Sequence, residues 1–199
     1  MKPWRPVIMT VAALCPAACG GGSTPTSATT PPVTTAPFTG QVSTQDASGD
    51  AASNALRPAS PDVTRFSAAV DGTTLTLTWS FAAGTFELAT SCAVADLDID
   101  ALETTGERDL GLGVDYQVQA YDGKVILSDV RARLSGTVIG RTPTVNGDTV
   151  TVTMPLAAFG NDDGRMAIRA KSVVLGPASF NSGPLDYAPD ATAAALRLQ

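Results

Sequence analysis

The 199-residue chain has a formal charge of −6 and contains no histidine. The missing imidazole removes Ser-His-Asp and Cys-His catalysis, the usual zinc sites and His-ligated haem. The acidic balance opposes nucleic acid, whose partners carry a basic footprint. Neither haem nor nucleic acid is an expected partner.

The chain opens with Lys2 and Arg5, an apolar run from Pro6 to Leu14, and then Cys15-Pro16-Ala17-Ala18-Cys19-Gly20. A short basic segment, a short apolar run and small residues before a cleavage point describe a secretory signal peptide. The run is too short to cross a bilayer, which takes roughly 20 residues. Ala17-Ala18-Cys19 resembles the lipobox of bacterial lipoproteins, with Pro16 where that pattern usually has Leu. Cys15 fits less well, because bulky Leu14 would occupy its cleavage position. The resemblance implies a lipoprotein signal peptide over 1–18, with Cys19 the acylated (palmitate-type) first residue of an exported, membrane-anchored protein. Gly20, rather than Asp, resembles lipoproteins passed to the outer membrane of a Gram-negative cell envelope. Cleavage takes Lys2 and Arg5 away, so 13 basic residues become 11 against 19 acidic ones, a net −8. That charge opposes adsorption to anionic lipid, so attachment must be covalent, each buried methylene contributing about 0.8 kcal/mol.

Residues 19–61 read as the lipidated cysteine followed by a disordered tether rich in Thr, Pro, Ser and Gly, which cannot bury enough surface to offset the entropy of ordering. The stretch Thr29–Pro37 is locally extended and acts as a stiff spacer. The folded domain is expected over 62–199. Only Cys92 is left there, so no intramolecular disulfide supports it, and Cys92 reads as a small buried hydrophobe.

Within 62–199 the pattern has a period of two. Leu75, Leu77, Trp79 and Phe81 alternate with Thr and Ser; Val114, Tyr116 and Val118 alternate with Asp115, Gln117 and Gln119; Val150, Val152 and Met154 alternate with Thr. Each set places its apolar members on one face of a strand. Asp71-Gly72, Asp122-Gly123 and Asn146-Gly147 are expected at the centres of type I′ hairpin turns. Pro155–Phe159 suits a single helical turn, and Ala191–Leu198 a short terminal helix or a last strand. The expected fold is all-β, a two-sheet antiparallel sandwich.

The chemically suggestive segment is Asp96-Leu97-Asp98-Ile99-Asp100. On a strand its three aspartates share one face while Leu97 and Ile99 pack inward. Clustered carboxylates need a positive centre, and Ca2+ takes six to eight oxygen ligands, so Asp96, Asp98 and Asp100 are candidate metal ligands, joined by Asp115 if its strand pairs alongside. Glu107 completes an EF-hand-like count. An EF-hand is rejected all the same, because Ala101 stands where the sharp turn takes Gly, Glu103 where an apolar residue belongs, and strand-like sequence replaces the entering helix. The plainer reading is that these carboxylates cap turns or face solvent. Trp79 and Tyr116 lie on the inward phase and read as core, which leaves Tyr121, beside a hairpin turn, and Tyr187, in the tail, as candidate sugar-stacking rings.

Four pieces together resemble the β-sandwich domains related to family 9 carbohydrate-binding modules and DOMON domains. They are Asp96–Asp100 with Thr105-Gly106, Gly113-Val114-Asp115-Tyr116, Met154–Gly160, and Asp186-Tyr187-Ala188-Pro189-Asp190. The resemblance implies a jelly-roll-like sandwich, with structural calcium near Asp98 and Asp100; neither a matching pair of sugar-stacking aromatics nor the haem-ligating histidine of such domains is evident. The functional expectation is a non-enzymatic, lipid-anchored envelope module that binds a ligand, carbohydrate first. The alternative is a structural module that meets an envelope protein and takes no small ligand.

Overall fold

The computed structural model describes residues 38–52, 60–132, 136–160, 162–174 and 185–199. The expectations for residues 1–37, including the signal peptide, Cys19 and the Thr29–Pro37 spacer, lie outside them.

The described chain is an antiparallel β-sandwich. One sheet has the order β1-β2-β3-β11-β10, formed by β1 (Thr39–Gln45), β2 (Val63–Asp71), β3 (Thr74–Phe81), β11 (Thr149–Pro155) and β10 (Thr144–Asn146). The other has the order β13-β12-β4-β7-β8-β9, formed by β13 (Asp186–Ala188), β12 (Met166–Val174), β4 (Ser91–Asp98), β7 (Tyr116–Tyr121), β8 (Lys124–Asp129) and β9 (Thr137–Val138). A last strand, β14 (Leu196–Leu198), pairs with β12 beside Met166–Ile168. A separate hairpin, β5 (Glu107–Asp109) and β6 (Leu112–Val114), lies over the second sheet, where Leu112 and Val114 pack on Ala167.

The predicted alternation on β3 is borne out. Leu75, Leu77, Trp79 and Phe81 face the core with their Thr and Ser neighbours half-buried. They meet Val150, Val152 and Met154 of β11 and, across the sandwich, Ala95, Leu97 and Val118. Trp79 is fully buried, and its indole Nε1 donates to the carbonyl of Val94 at 3.1 Å, so its polar edge bonds across to the second sheet. Phe159 sits in the 3-10 turn Leu156–Phe159 that follows Pro155 and meets Tyr116 edge-on, with ring centroids 5.4 Å apart. The Ala191–Leu198 segment resolves as the last strand, β14.

Three expectations are corrected. The sandwich begins before Asp62: β1 pairs along its whole length with β2, from Thr39 opposite Asp71 to Gln45 opposite Arg65. Its composition hid it because an edge strand needs little apolar surface. Val42 packs on the core and Phe38 anchors the strand's start, while the rest of the strand is polar. Secondly, the run from Val114 to Gln119 is two strands, not one. Asp115 belongs to neither and sits between them, its N–H donating to Leu97 O and its carbonyl accepting from Val130 N–H, each at 2.8 Å. Thirdly, only Asp122-Gly123 occupies both central turn positions with positive φ, 48° and 69°. In the other two hairpins the turn moves on one residue, so that Gly72 or Gly147 is the first central residue and supplies the positive φ at no steric cost.

Candidate functional site

On β4, β7, β12 and β13, the residues facing away from the core are Asp96, Gln117, Lys171 and Tyr187, alternating with the core residues Ala95, Leu97, Val118, Ala170 and Ala188. The β5–β6 hairpin rises beside them and adds Glu107, Arg108 and Asp109. The result is an open cleft of about 280 Å³. Its floor is an ion-pair network. Lys171 Nζ lies 2.5 Å from Asp96 Oδ2 and 3.4 Å from Asp109 Oδ2, and Gln117 Nε2 donates to Asp96 Oδ1 at 2.8 Å. Gln119 donates in turn to Gln117 Oε1. Burial pushes the Asp96 carboxyl up and Lys171 holds it back; burial would depress Lys171, but Asp96 and Asp109 raise it above the usual amine value. Arg169, beside Asp96 in register, is fully enclosed and donates to the carbonyls of Leu110 and Ala193, which ties the hairpin turn and the C-terminal segment to the sheet.

Of the two tyrosines singled out from sequence, Tyr187 lines this cleft. Tyr121 does not. It lies at the far end of the same face, packed on the small apolar cluster of Cys92, Val94 and Val173. Cys92 is buried as expected, and burial drives its thiol pKa up to about 12.

The acidic segment is only partly assembled as anticipated. Asp98, Asp100 and Asp115 each offer a carboxylate oxygen, and these lie within 4.8 Å of one another, whereas Asp96 is engaged by Lys171 in the cleft. The strand ends at Asp98, so Asp100 is a loop residue, and Ala101 takes the left-handed φ of 54° expected of a glycine. Backbone amides fill much of the cluster: Leu102 N–H reaches Asp98 and Asp100, Gly113 N–H reaches Asp98, and Ile99 N–H reaches Asp115, all at 3.0–3.1 Å. Arg131 Nε stands 3.4 Å from Asp115 Oδ1, supplying a positive charge, although burial still raises the Asp115 carboxyl. The loop rests directly on β6. A Cβ added at Gly113 would come within 2.2 Å of Leu102 O and 2.6 Å of Thr105 O, so only glycine allows this approach. Glu107, the EF-hand-like twelfth position, instead pairs with Val114 in the hairpin and lines the cleft.

A second acidic cluster was missed in the sequence reading. The β1–β2 connection and β13 bring together Asp46, Asp50, Asp62, Asp186 and Asp190; one carboxylate oxygen each from Asp50, Asp62 and Asp186, and likewise from Asp46, Asp50 and Asp190, lie within 4.8 Å of one another. Burial, then repulsion from Asp190 and Asp50, lifts the Asp46 carboxyl to about 6. Burial, with Asp46 and Asp50 adding to it, lifts Asp186 to about 7 against the amides of Val63 and Tyr187. Asp46 and Asp50 lie in the segment read as tether, Asp62 is the first residue of the expected domain, and Asp186 and Asp190 follow more than 120 residues later. The one local hint was Asp186-Tyr187-Ala188-Pro189-Asp190, noted only as part of a family likeness.

Comparison with family models, with curated proteins and with solved structures finds no match to this chain. The fold and the site chemistry therefore carry the functional argument.

Proposed function

We propose that the chain is a lipid-anchored, non-enzymatic module of the bacterial cell envelope that binds carbohydrate in the cleft formed by the second sheet and the β5–β6 hairpin. The observation that carries this reading is the cleft's lining, with donors from Arg108, Lys171 and Gln117, acceptors from Glu107 and Asp109, and the ring of Tyr187 at one side. Sugar hydroxyls donate and accept at once, and an aromatic ring covers their C–H face. Such a mixed wall suits them better than it suits an apolar or a purely anionic ligand. Its volume lies just below the roughly 300–1,000 Å³ of ordinary ligand pockets, which favours one or two sugar rings over a long chain. The sandwich architecture supports the likeness to carbohydrate-binding and DOMON-type domains at the level of fold.

The cleft's carboxylates also favour binding over hydrolysis. A glycosidase needs an acid and a second carboxylate each free to act on the substrate. Here Asp96 and Asp109 share one ammonium and the buried Asp96 is further engaged by Gln117, so Glu107 has no second free carboxylate beside it in the cleft lining.

Glycan-array binding of the full chain tests the reading. Tyr187→Ala and Arg108→Ala should each abolish the signal while leaving the melting temperature within a few degrees. Array-wide silence of a folded chain would turn the assignment toward the protein-interaction alternative. The anchor is tested separately: Cys19→Ala should move the protein from the detergent phase to the aqueous phase, and unchanged partitioning would reject lipidation.

A further inference from the structure

The two acidic clusters differ in how their charge is met. At Asp98–Asp100–Asp115 a guanidinium and several amides face the carboxylates. At the other cluster, none of the ion pairs among the described residues reaches Asp46, Asp50, Asp62, Asp186 or Asp190. Two of its oxygens are also left over. Asp62 is 4% exposed; its Oδ2 accepts from Gly49 N–H at 2.6 Å, but its Oδ1 is enclosed without a hydrogen-bond partner. Asp46 Oδ2 is enclosed and unpartnered in the same way. A buried carboxylate oxygen lacking a donor is costly, and several converging on one point are more so.

We propose that this cluster is a calcium site, with Asp50, Asp62 and Asp186 as carboxylate ligands and Asp46 and Asp190 flanking them. The donor set is oxygen only, which suits a hard cation. Two oxygens on opposite sides of an ion at about 2.4 Å stand about 4.8 Å apart, the span within which these carboxylates fall. Asp186 already accepts from Val63 N–H at Oδ2 (2.5 Å) and from Tyr187 N–H at Oδ1 (2.8 Å), and each oxygen retains a lone pair for the ion. Calcium is favoured over magnesium because the ligands come from a loop and two strand ends, without the rigid octahedral frame and retained waters that magnesium requires.

The position gives the ion a structural task. Asp50 and Asp62 both belong to the connection between β1 and β2, whose two ends are held to the β13 segment by Ala52 N–H on Leu185 O at 2.7 Å and by the Val63–Asp186 bond. An ion there clamps the edge strand of one sheet to the edge of the other. It also lies one residue from Tyr187, on the wall of the cleft.

The test is thermal unfolding of the full chain in millimolar calcium, in millimolar magnesium and in chelator. Calcium should raise the melting temperature by several degrees, and magnesium by clearly less. Asp50→Asn, at an exposed position and so safe for folding, should abolish the calcium-dependent rise, and in chelator it should melt no lower than the parent because it removes a repelling charge. Terbium luminescence should report at least roughly tenfold weaker binding for the same variant. Asp100→Asn, in the other cluster, should retain the full calcium response. The proposal is overturned by no calcium shift, by an equal shift in magnesium, by a shift that survives Asp50→Asn, or by one that is lost in Asp100→Asn.

Discussion

Replacing Lys171 with Met isolates the energetics of the cleft floor. The substitution keeps the aliphatic stem but removes the ammonium 2.5 Å from Asp96 Oδ2, leaving Asp96, at 1% exposure, with Gln117 as its partner. Breaking one side of a buried pair costs about 3–5 kcal/mol at neutral pH, because the remaining charge has lost its compensation. Asp96 can escape part of that cost by keeping its proton, since burial already pushes its carboxyl upward and Lys171 is what holds it down. The loss therefore depends on pH with a definite sign. Below about pH 4 the carboxyl is protonated in both the folded variant and the unfolded chain, and little is lost. As pH rises further, the parent's Asp96 ionises against Lys171 while the folded variant keeps its proton, so the gap between them widens by at most about 1.4 kcal/mol per unit. Urea unfolding of parent and variant at about pH 4.5, 6 and 7.5 should show a gap that widens toward neutrality. It should correspond to about 10 °C in melting temperature at the upper end, for a domain of this size. Lys171→Met with Asp96→Leu should recover most of the loss, because it removes the orphaned charge. A gap equal at all three pH values, or a double variant no more stable than Lys171→Met alone, would refute the reasoning.

Two further outcomes follow from local geometry. Gly113→Ala should destabilise the fold by more than about 2 kcal/mol in urea unfolding, because the new methyl meets the backbone carbonyls of Leu102 and Thr105, which cannot swing aside; Ala101→Gly, which relieves a left-handed φ of 54°, should be neutral or stabilising by up to about 1 kcal/mol. With Cys15 and Cys19 replaced by Ser and Ala, Cys92 should resist an aromatic disulfide reagent at mildly alkaline pH and react only once urea unfolds the chain, since its thiol is enclosed and lifted to about 12; rapid native-state labelling would contradict its burial.

Legibility followed burial. β3 was readable because one of its faces is core and the other half-exposed, so Leu75, Leu77, Trp79 and Phe81 stand out against threonines. β4 carries no such contrast over Ser91–Val94, because every residue of the strand is buried, its outward face being covered as well as its core face. β1 failed for the opposite reason: as an edge strand it buries little beyond Phe38 and Val42, and its Thr-Gly-Gln-Val-Ser-Thr-Gln sequence looks like the tether before it. The same distinction governs the sites. Asp98 and Asp100 were found because they are neighbours in sequence, and Asp115 was attached to them only as a conjecture about pairing. Asp62 and Asp186 meet through a bond between the start of β2 and β13, a contact that no local pattern encodes. Tyr187 and Tyr121 looked equivalent, both polar-tipped rings near a chain irregularity. Only the strand order places Tyr187 opposite Lys171 at the cleft, with Tyr121 beside Cys92.

Sugar binding in the cleft between the second sheet and the β5–β6 hairpin is open to direct observation. The most direct measurement is an amide and side-chain chemical-shift map of the full chain, in detergent and calcium, titrated with the best glycan from the array. Saturable shifts should concentrate at Arg108, Asp109, Gln117, Lys171 and Tyr187, with Tyr121 and β10 unmoved. Saturable shifts that leave these five residues untouched and gather on another surface would contradict binding in the cleft.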